Sequence, residues 1–374
     1  RNKRMLSGHV TFVGFGLLAS SMAAAIRASK LPLTIRIVSS QKTRERAKEL
    51  GFADESFGYE EVESWARGTD LILLCSPILH ILEMLESLQK IQVESQVVVS
   101  DIGSTKAEIC KAGARLSSPF LFIGGHPMAG SEKRTLEYND PSLFENAYWF
   151  LCPPKGTAPE EYSLLSELIA FLGSRVVLFE PEEHDATIAW LSHMPQMVST
   201  ALAGNLPEDL LNNNYQHFAG RGFRDMTRIA ASGWNMWRDI LLTNRSAVLN
   251  ALAGFAKGVK AVENALDKLP TDGDEALHKI FESGNKGRAS LFAPGRVAGH
   301  GFYEVSVALE DRPGTILAVM KPLSDAGINI RDIELMKVRE NVSGVLLISF
   351  KTEREATQAV EILQKNGLEA GIRE

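Results

Sequence analysis

Three regimes of apolar and polar spacing follow one another along the chain. Over roughly the first 180 residues, short continuous apolar runs at 10–13, 34–38, 71–75, 97–100, 120–123, 149–151 and 175–178 alternate with helical patterns, among them 20–29, 43–50 and 78–88. Apolar runs of that kind with helices between them predict a parallel, doubly wound sheet buried on both faces. After Pro181 the strand patterns stop, and 182–291 reads as helix throughout. Its longest segment, 243–269, keeps apolar residues at helical spacing without a break. A Gly- and Pro-containing stretch at 293–301 reads as a linker. Beyond it a βαββαβ pattern has strands at 302–309, 328–338, 344–350 and 368–372 and helices at 315–326 and 354–366. Pro322 sits awkwardly in the first of these helices. The expected domains are therefore 1–180, 181–292 and 302–374, with the linker between the last two.

Composition narrows the class. A chain of 374 residues that is 45% apolar and 23% charged has room for sizeable cores. The net charge of −6, with no block of Lys or Arg, argues against a nucleic-acid or polybasic membrane surface. No apolar run approaches the ~18 residues of a membrane span, and no signal-peptide pattern opens the chain. The first residues, Arg1–Asn2–Lys3–Arg4, lack a Met and read as a trimmed end. Cys75, Cys110 and Cys152 form no metal-ligand pattern and cannot all pair, so no metal site is expected and the setting reads as reducing and cytoplasmic.

The chemistry starts at the end of the first strand. Gly14–Phe15–Gly16–Leu17–Leu18–Ala19 follows an apolar run and opens a helix, which is the context in which G-x-G-x-x-A binds a dinucleotide pyrophosphate on a Rossmann-type sheet. A carboxylate for the ribose 2′-OH usually lies about 20 residues on. Here no acidic residue occurs between Thr11 and Arg44, and the second strand ends in Ser39–Ser40–Gln41–Lys42–Thr43–Arg44. Those hydroxyls and cations suit a 2′-phosphate, so NADP is favoured over NAD; capping of the next helix is the plainer role for Ser40 and Thr43. Ser76–Pro77 and Asp101–Ile102–Gly103–Ser104 end two further strands on the same crevice, with Gly103 and Ser104 expected to open a helix. The run 120–123 then stops at Gly124–Gly125 and delivers His126 onto a loop bounded by Pro127 and Gly130. A histidine there suits accepting a proton from a hydroxyl.

Polar groups interrupt the helical region at three places. Ser192–His193–Met194–Pro195–Gln196 puts a proline in mid-helix, where it should kink the chain. Arg224/Asp225 and Arg238/Asp239 read either as structural ion pairs or as site residues. Arg228 has no acid within its own turn and is the better partner for a substrate carboxylate. Gly254, Gly258 and the alanines around them favour close helix packing, within the chain or in a homodimer.

Taken in order, Gly14-x-Gly16-x-x-Ala19, Asp101-x-Gly103-Ser104-x-Lys106, Gly125–His126–Pro127–Met128–Ala129–Gly130–Ser131–Glu132, Ser192–His193-x-Pro195 and Arg224–Asp225-x-Thr227–Arg228 resemble the prephenate/arogenate dehydrogenase family over nearly the whole length. The resemblance implies oxidative decarboxylation of prephenate to 4-hydroxyphenylpyruvate in tyrosine biosynthesis, with hydride transfer to NAD(P). It implies that His126 draws off the proton of the ring hydroxyl, that Ser104 orients it and the cofactor, and that His193 is the second histidine of the site. It further implies that Arg228 fixes a substrate carboxylate, with Gln196, Asp225 and Trp237 as further substrate contacts, the last two at the pocket edge. Arogenate is the alternative substrate, with Glu132 or Asp225 to read its amine. A non-catalytic amino-acid sensor is a second alternative, against which the intact Ser104, His126, His193 and Arg228 set argues.

The last region, with Asp311–Arg312–Pro313–Gly314 and Gly327–Ile328–Asn329–Ile330, resembles an ACT domain. That resemblance implies an amino-acid effector, tyrosine first, at Asp311, Gly314 and Asn329, against a purely dimerising module. The expectation for the whole chain is a regulated, cytoplasmic α/β dehydrogenase with a helical dimerisation domain and a ferredoxin-like regulatory domain.

Overall fold

The computed structural model describes residues 6–130, 135–290, 303–310, 312–336, 344–350 and 352–372. It divides into two compact units, 1–261 and 262–374.

The first unit begins with β1 (Gly8–Val13), α1 (Leu17–Ala28), β2 (Leu33–Val38), α2 (Gln41–Glu49), β3 (Glu55–Phe57) and α3 (Val62–Ala66). It continues through β4 (Leu71–Leu74), α4 (Ile78–Leu88), β5 (Val97–Asp101), α5 (Ala107–Gly113) and β6 (Phe120–Pro127). Then come β7 (Tyr148–Cys152), α6 (Ser163–Phe171) and β8 (Arg175–Leu178). The strands form one sheet in the order β3-β2-β1-β4-β5-β6-β7-β8. Successive β4 residues point to opposite faces: Leu71 and Leu73 join a core with α1 and α6, while Ile72 and Leu74 join a second core with α4. A sheet covered on both faces leaves only its strand ends for ligand. The chain order reverses direction between β1 and β4, which is where a doubly wound sheet opens a crevice.

One strand departs from expectation in a way that matters. β6 does not stop at the glycines. It pairs parallel with β5 as far as Ile123, then pairs antiparallel with β7 from Gly124 to Pro127, opposing His126 to Phe150. His126 therefore sits on a strand, not a loop. Gly125 permits the change of partner, because a Cβ there would overlap the Asp101 carbonyl oxygen and the Ser100 hydroxyl. β3 is a further short strand at the sheet edge that the apolar pattern does not mark, since only Phe57 of its three residues is apolar.

The rest of this unit is helical: α7 (Pro181–Ile188), α8 (Met194–Gly204), α9 (Glu208–Asn212), α10 (Arg221–Thr227), α11 (Trp234–Thr243) and α12 (Arg245–Asp267). A π-helical turn, Ala189–His193, joins α7 to α8, so Pro195 falls in the first turn of α8. The backbone stays helical across this join, at His193 (φ −74°, ψ −45°) and Met194 (φ −64°, ψ −45°), so Pro195 does lie within a continuous helical stretch, and the π-helical turn just before it is the irregularity that accompanies the missing N–H. The expected segment 243–269 is α12, which begins just after a break from α11 at Asn244 (φ −125°, ψ 27°). Trp237 and Ile240 of α11 dock into the α4-side core. Gly254 lets the Trp190 ring lie against α12, since a Cβ there would come within 2.7 Å of it; nothing within 4 Å faces Gly258.

The second unit holds α13 (Gly273–Ser290) and a sheet of β9 (Tyr303–Leu309), β10 (Asp332–Met336), β11 (Gly344–Phe350) and β12 (Ala370–Ile372). Helices α14 (Thr315–Asp325) and α15 (Glu353–Lys365) complete a βαββαβ run whose strands are ordered β10-β11-β9-β12, all antiparallel. Val319, Leu323, Ala356, Ala359 and Leu363 pack on Val305, Val307 and Ile348 to form its core. Pro322 lies inside α14, which continues through it. β10 starts at Asp332, four residues later than the expected strand. The linker 293–301, Glu132 and Asp311 lie outside the described residues.

Candidate active site

A cleft of about 770 Å³ opens where β1, β2 and β4 end, lined among others by Gly14, Gly16, Ser39, Ser40, Lys42, Ser76 and Pro77. Gly14 has φ +90°, and a Cβ there would stand 2.9 Å from the Cys75 carbonyl and the Ser76 nitrogen, so only glycine closes this turn. α1 starts at Leu17 with no side-chain cap, leaving its first N–H groups for a ligand. The Ser76 hydroxyl in the cleft wall is buried without a hydrogen-bond partner among the described residues. A glycine cradle, uncapped donors and an orphaned hydroxyl fit a dinucleotide pyrophosphate. Leu17, Leu18 and Ala19 form the first turn of α1, with Ala19 packed in the core.

Three expected cofactor contacts have structural partners of their own. Ser40, while lining the cleft, is also the N-cap of α2, accepting the Thr43 N–H at 3.4 Å. Arg44 is drawn to Glu61 at 4.0 Å and is absent from the cleft wall. Asp101 is fully buried: its carboxylate accepts the N–H groups of Gly103 (2.8 Å) and Gly125 (2.9 Å) and pairs with the equally buried Lys106 ammonium. It braces β5 against β6 directly behind His126. Burial pushes the Asp101 carboxyl above the ordinary carboxylate range, with Lys106 and the two N–H groups pulling the other way.

His126 is buried, and its imidazole is part of a chain of hydrogen bonds. Its Nδ1 lies 2.9 Å from Nε2 of His184, and Nδ1 of His184 lies 2.9 Å from Oδ1 of Asp185. The Asp185 carboxylate also accepts the backbone N–H of Lys106 (2.7 Å) and of Ala107 (2.9 Å). It thus caps α5, the role expected of Ser104. Ser104 itself is half-buried in the turn between β5 and α5. Phe150 stands edge-on to His126 at 5.9 Å and to His184 at 5.4 Å between ring centres, and Phe179 edge-on to His184 at 6.1 Å, so apolar rings cover the pair. Burial, then the neighbouring His184, Lys106 and His193, hold the His126 imidazole well below its usual pKa, so it is neutral and able to accept a proton.

The second expected histidine joins the same network. Asn244 donates its amide to the Asp185 carbonyl at 2.9 Å, and the same nitrogen lies 3.2 Å from Nδ1 of His193. Burial is the main reason His193 titrates near 4, with Asp185 opposing and His184 assisting. Trp237 is buried edge-on against His193 at 5.8 Å and anchors α11 to the α4-side core. Gln196 is buried too, donating to the Ile229 carbonyl at 2.8 Å and accepting from Ser232 at 3.3 Å. It therefore ties α8 to the short 3-10 turn Arg228–Ala231, which presents Arg228 to solvent. Asp225 and Arg224 are exposed on α10, and neither Arg224/Asp225 nor Arg238/Asp239 forms an ion pair among the described residues. Buried Asp239 instead accepts the Leu79 N–H of α4 at 3.4 Å.

His184, Asp185 and Asn244 carry no mark in the sequence. Glu182–Glu183–His184–Asp185 reads as the charged, solvated start of a helix, and Asn244 reads as one polar residue in a long helical pattern. The only trace is that an Asn inside an apolar helix favours a break.

Comparison with known proteins fits this geometry. Residues 22–178 match the family described as prephenate dehydrogenase, nucleotide-binding domain, and 180–283 match prephenate dehydrogenase, dimerization domain. A curated prephenate dehydrogenase of Bacillus subtilis is 30% identical over 362 residues, covering 95% of both chains. The structure of prephenate dehydrogenase from Aquifex aeolicus in complex with hydroxyphenyl propionate and NAD+ superposes with TM-score 0.66 at 30% identity, over 78% of this chain and 99% of that one. The Synechocystis arogenate dehydrogenase gives TM-score 0.65 at 30% identity, over 76% and 99%.

Proposed function

The chain belongs to the prephenate dehydrogenase family, and on that premise we propose that it converts prephenate to 4-hydroxyphenylpyruvate and CO2. One observation carries the assignment of roles: His126 is a buried imidazole whose Nδ1 is engaged by His184 and whose Nε2 has no hydrogen-bond partner among the described residues. In this reading His126 takes the proton of the ring hydroxyl as the carbon–oxygen double bond develops, the ring carboxylate leaves as CO2, and the ring becomes aromatic. A nicotinamide dinucleotide held by the Gly14–Gly16 turn and the first N–H groups of α1 would supply the hydride acceptor for the carbon that bore the hydroxyl. Aromatisation supplies the driving force, so the protein's task is orientation, removal of one proton and exclusion of water. Arg228 anchors a substrate carboxylate from a turn that Gln196 holds, His193 offers a neutral ring to the substrate, and Ser104 faces the cofactor side.

The finer assignments rest on particular features. Ser39, Ser40 and Lys42 in the cleft wall, and the lack of any acid between Thr11 and Arg44, support NADP as the preferred dinucleotide with NAD second. Exposed Leu242, Leu249, Phe255 and Val259 on α11 and α12 support a homodimer through the helical region. The three free cysteines suit a reducing cytoplasm. We divide the chain functionally at 1–180, 181–292 and 302–374. The βαββαβ order of the last part supports an ACT-type, ferredoxin-like module. Gly314 in left-handed conformation (φ 89°) and exposed Asn329 support tyrosine sensing by that module. Arogenate is the second substrate reading, favoured by the likeness to the Synechocystis enzyme.

Steady-state kinetics with prephenate and arogenate, each crossed with NAD and NADP, tests all of this together. His126→Ala should lower kcat by about 10²–10⁴-fold with substrate affinity largely kept, as loss of a general base does. Arg228→Ala should mainly raise KM. Unchanged turnover in His126→Ala removes the base assignment.

A further inference from the structure

We propose that His184 and Asp185 are positioning residues that fix the tautomer of His126 so that Nε2 is bare and able to take the substrate proton. The inference rests on the role given to His126 above and extends it to two residues behind the imidazole.

The argument is one of donors and acceptors. The Asp185 carboxylate already accepts two backbone N–H groups, from Lys106 and Ala107, and an ionised carboxylate only accepts. Nδ1 of His184, 2.9 Å from Oδ1, therefore carries the proton. In the neutral ring Nε2 of His184 is then an acceptor. Nδ1 of His126 lies 2.9 Å from it and must donate, which leaves Nε2 of His126 without a proton. Losing the carboxylate removes that order: an Asn at 185 must turn its amide nitrogen toward one of the donors now accepted by Oδ1 and Oδ2, so the His184 proton is no longer fixed on Nδ1 and one can stand on the nitrogen of His126 that has to be empty. Among the described residues, nothing else facing His126 enforces this choice. Lys106 is committed to Asp101, Phe150 presents carbon, and His193 is held by Asn244.

The same chain serves the reaction. When His126 takes the proton, its Nδ1–H still points at His184, whose far side rests on a carboxylate held in place by two backbone donors. The new positive charge has a fixed partner two bonds away in a site walled by Phe150 and Phe179. His184 is fully buried and touches no space open to substrate, so it acts through His126 alone.

The test combines spectroscopy on the unmodified protein with kinetics on variants. Two-bond nitrogen–proton correlation spectra of the full chain labelled with 15N-histidine should show His126 protonated at Nδ1 and bare at Nε2, and this single pattern should be lost in Asp185→Asn. With prephenate and the preferred dinucleotide, Asp185→Asn and His184→Phe should each lose about 10²–10⁴-fold in kcat, with KM and dinucleotide Kd within about threefold. His184→Gln, whose carbonyl still accepts the His126 Nδ1–H, should retain activity within about tenfold. A wild-type His126 bearing its proton on Nε2 overturns the proposal without any variant having to fold. So does turnover within about threefold of wild type in both Asp185→Asn and His184→Phe when His126→Ala is inactive. If His126→Ala itself keeps full turnover, the base assignment falls first and the positioning role with it.

Discussion

Replacing Lys106 by methionine removes one half of an ion pair whose partners are both fully buried. Loss of one partner from such a pair destabilises by about 3–5 kcal/mol, because the other charge is left uncompensated. Asp101 has one escape, which is to take a proton, and its carboxyl is already pushed upward by burial. Without Lys106 its folded-state pKa rises further above the unfolded value of about 3.9. The deficit should then be largest at high pH and shrink as pH falls through the folded-state value. Removing both charges, as Asp101→Asn with Lys106→Met, leaves one amide oxygen for two backbone donors, Gly103 and Gly125, and should cost only about 1–3 kcal/mol. The double variant should thus be more stable than Lys106→Met alone by about 2 kcal/mol. All five tryptophans lie in the first unit, so urea unfolding of the full chain followed by Trp fluorescence reports this region. A double variant no more stable than the single one, or a Lys106→Met deficit that does not vary between neutral and mildly acidic pH, refutes the reasoning.

Gly14→Ala places a Cβ 2.9 Å from backbone of Cys75 and Ser76 at φ +90° and should weaken dinucleotide binding at least about tenfold, read by titration of protein fluorescence. Gln196→Leu frees the Arg228–Ala231 turn from α8 and should raise KM for prephenate more than it lowers kcat in initial-rate assays. Acid should destabilise the first unit through its buried histidines. His193 titrates near 4 in the folded chain and at about 6.5 unfolded, so stability is complete above about 6.5 and is lost as pH falls toward 4, by about 3 kcal/mol. In His193→Asn, which keeps an acceptor for Asn244, unfolding midpoints should fall less steeply over that window.

The sequence alone determined the architecture of the nucleotide half, the helical middle and the βαββαβ end, because near-continuous apolar runs and helical spacing are local properties that burial then enforces. It also determined the glycine turn, His126 and His193, each carried by a short motif. Where a choice depended on which distant groups meet, local pattern had nothing to read. The expected loop at His126 is a strand because β7 supplies hydrogen bonds that only the folded sheet brings alongside. The structural partners of Trp237 and Asp101 are likewise tertiary, because α11 docks on the sheet and the Lys106 ammonium reaches the buried Asp101 carboxylate. His184, Asp185 and Asn244 reached the site from a charged helix start and a helix break. Their value lies in hydrogen bonds across 51 to 79 residues of sequence, which only tertiary structure could create.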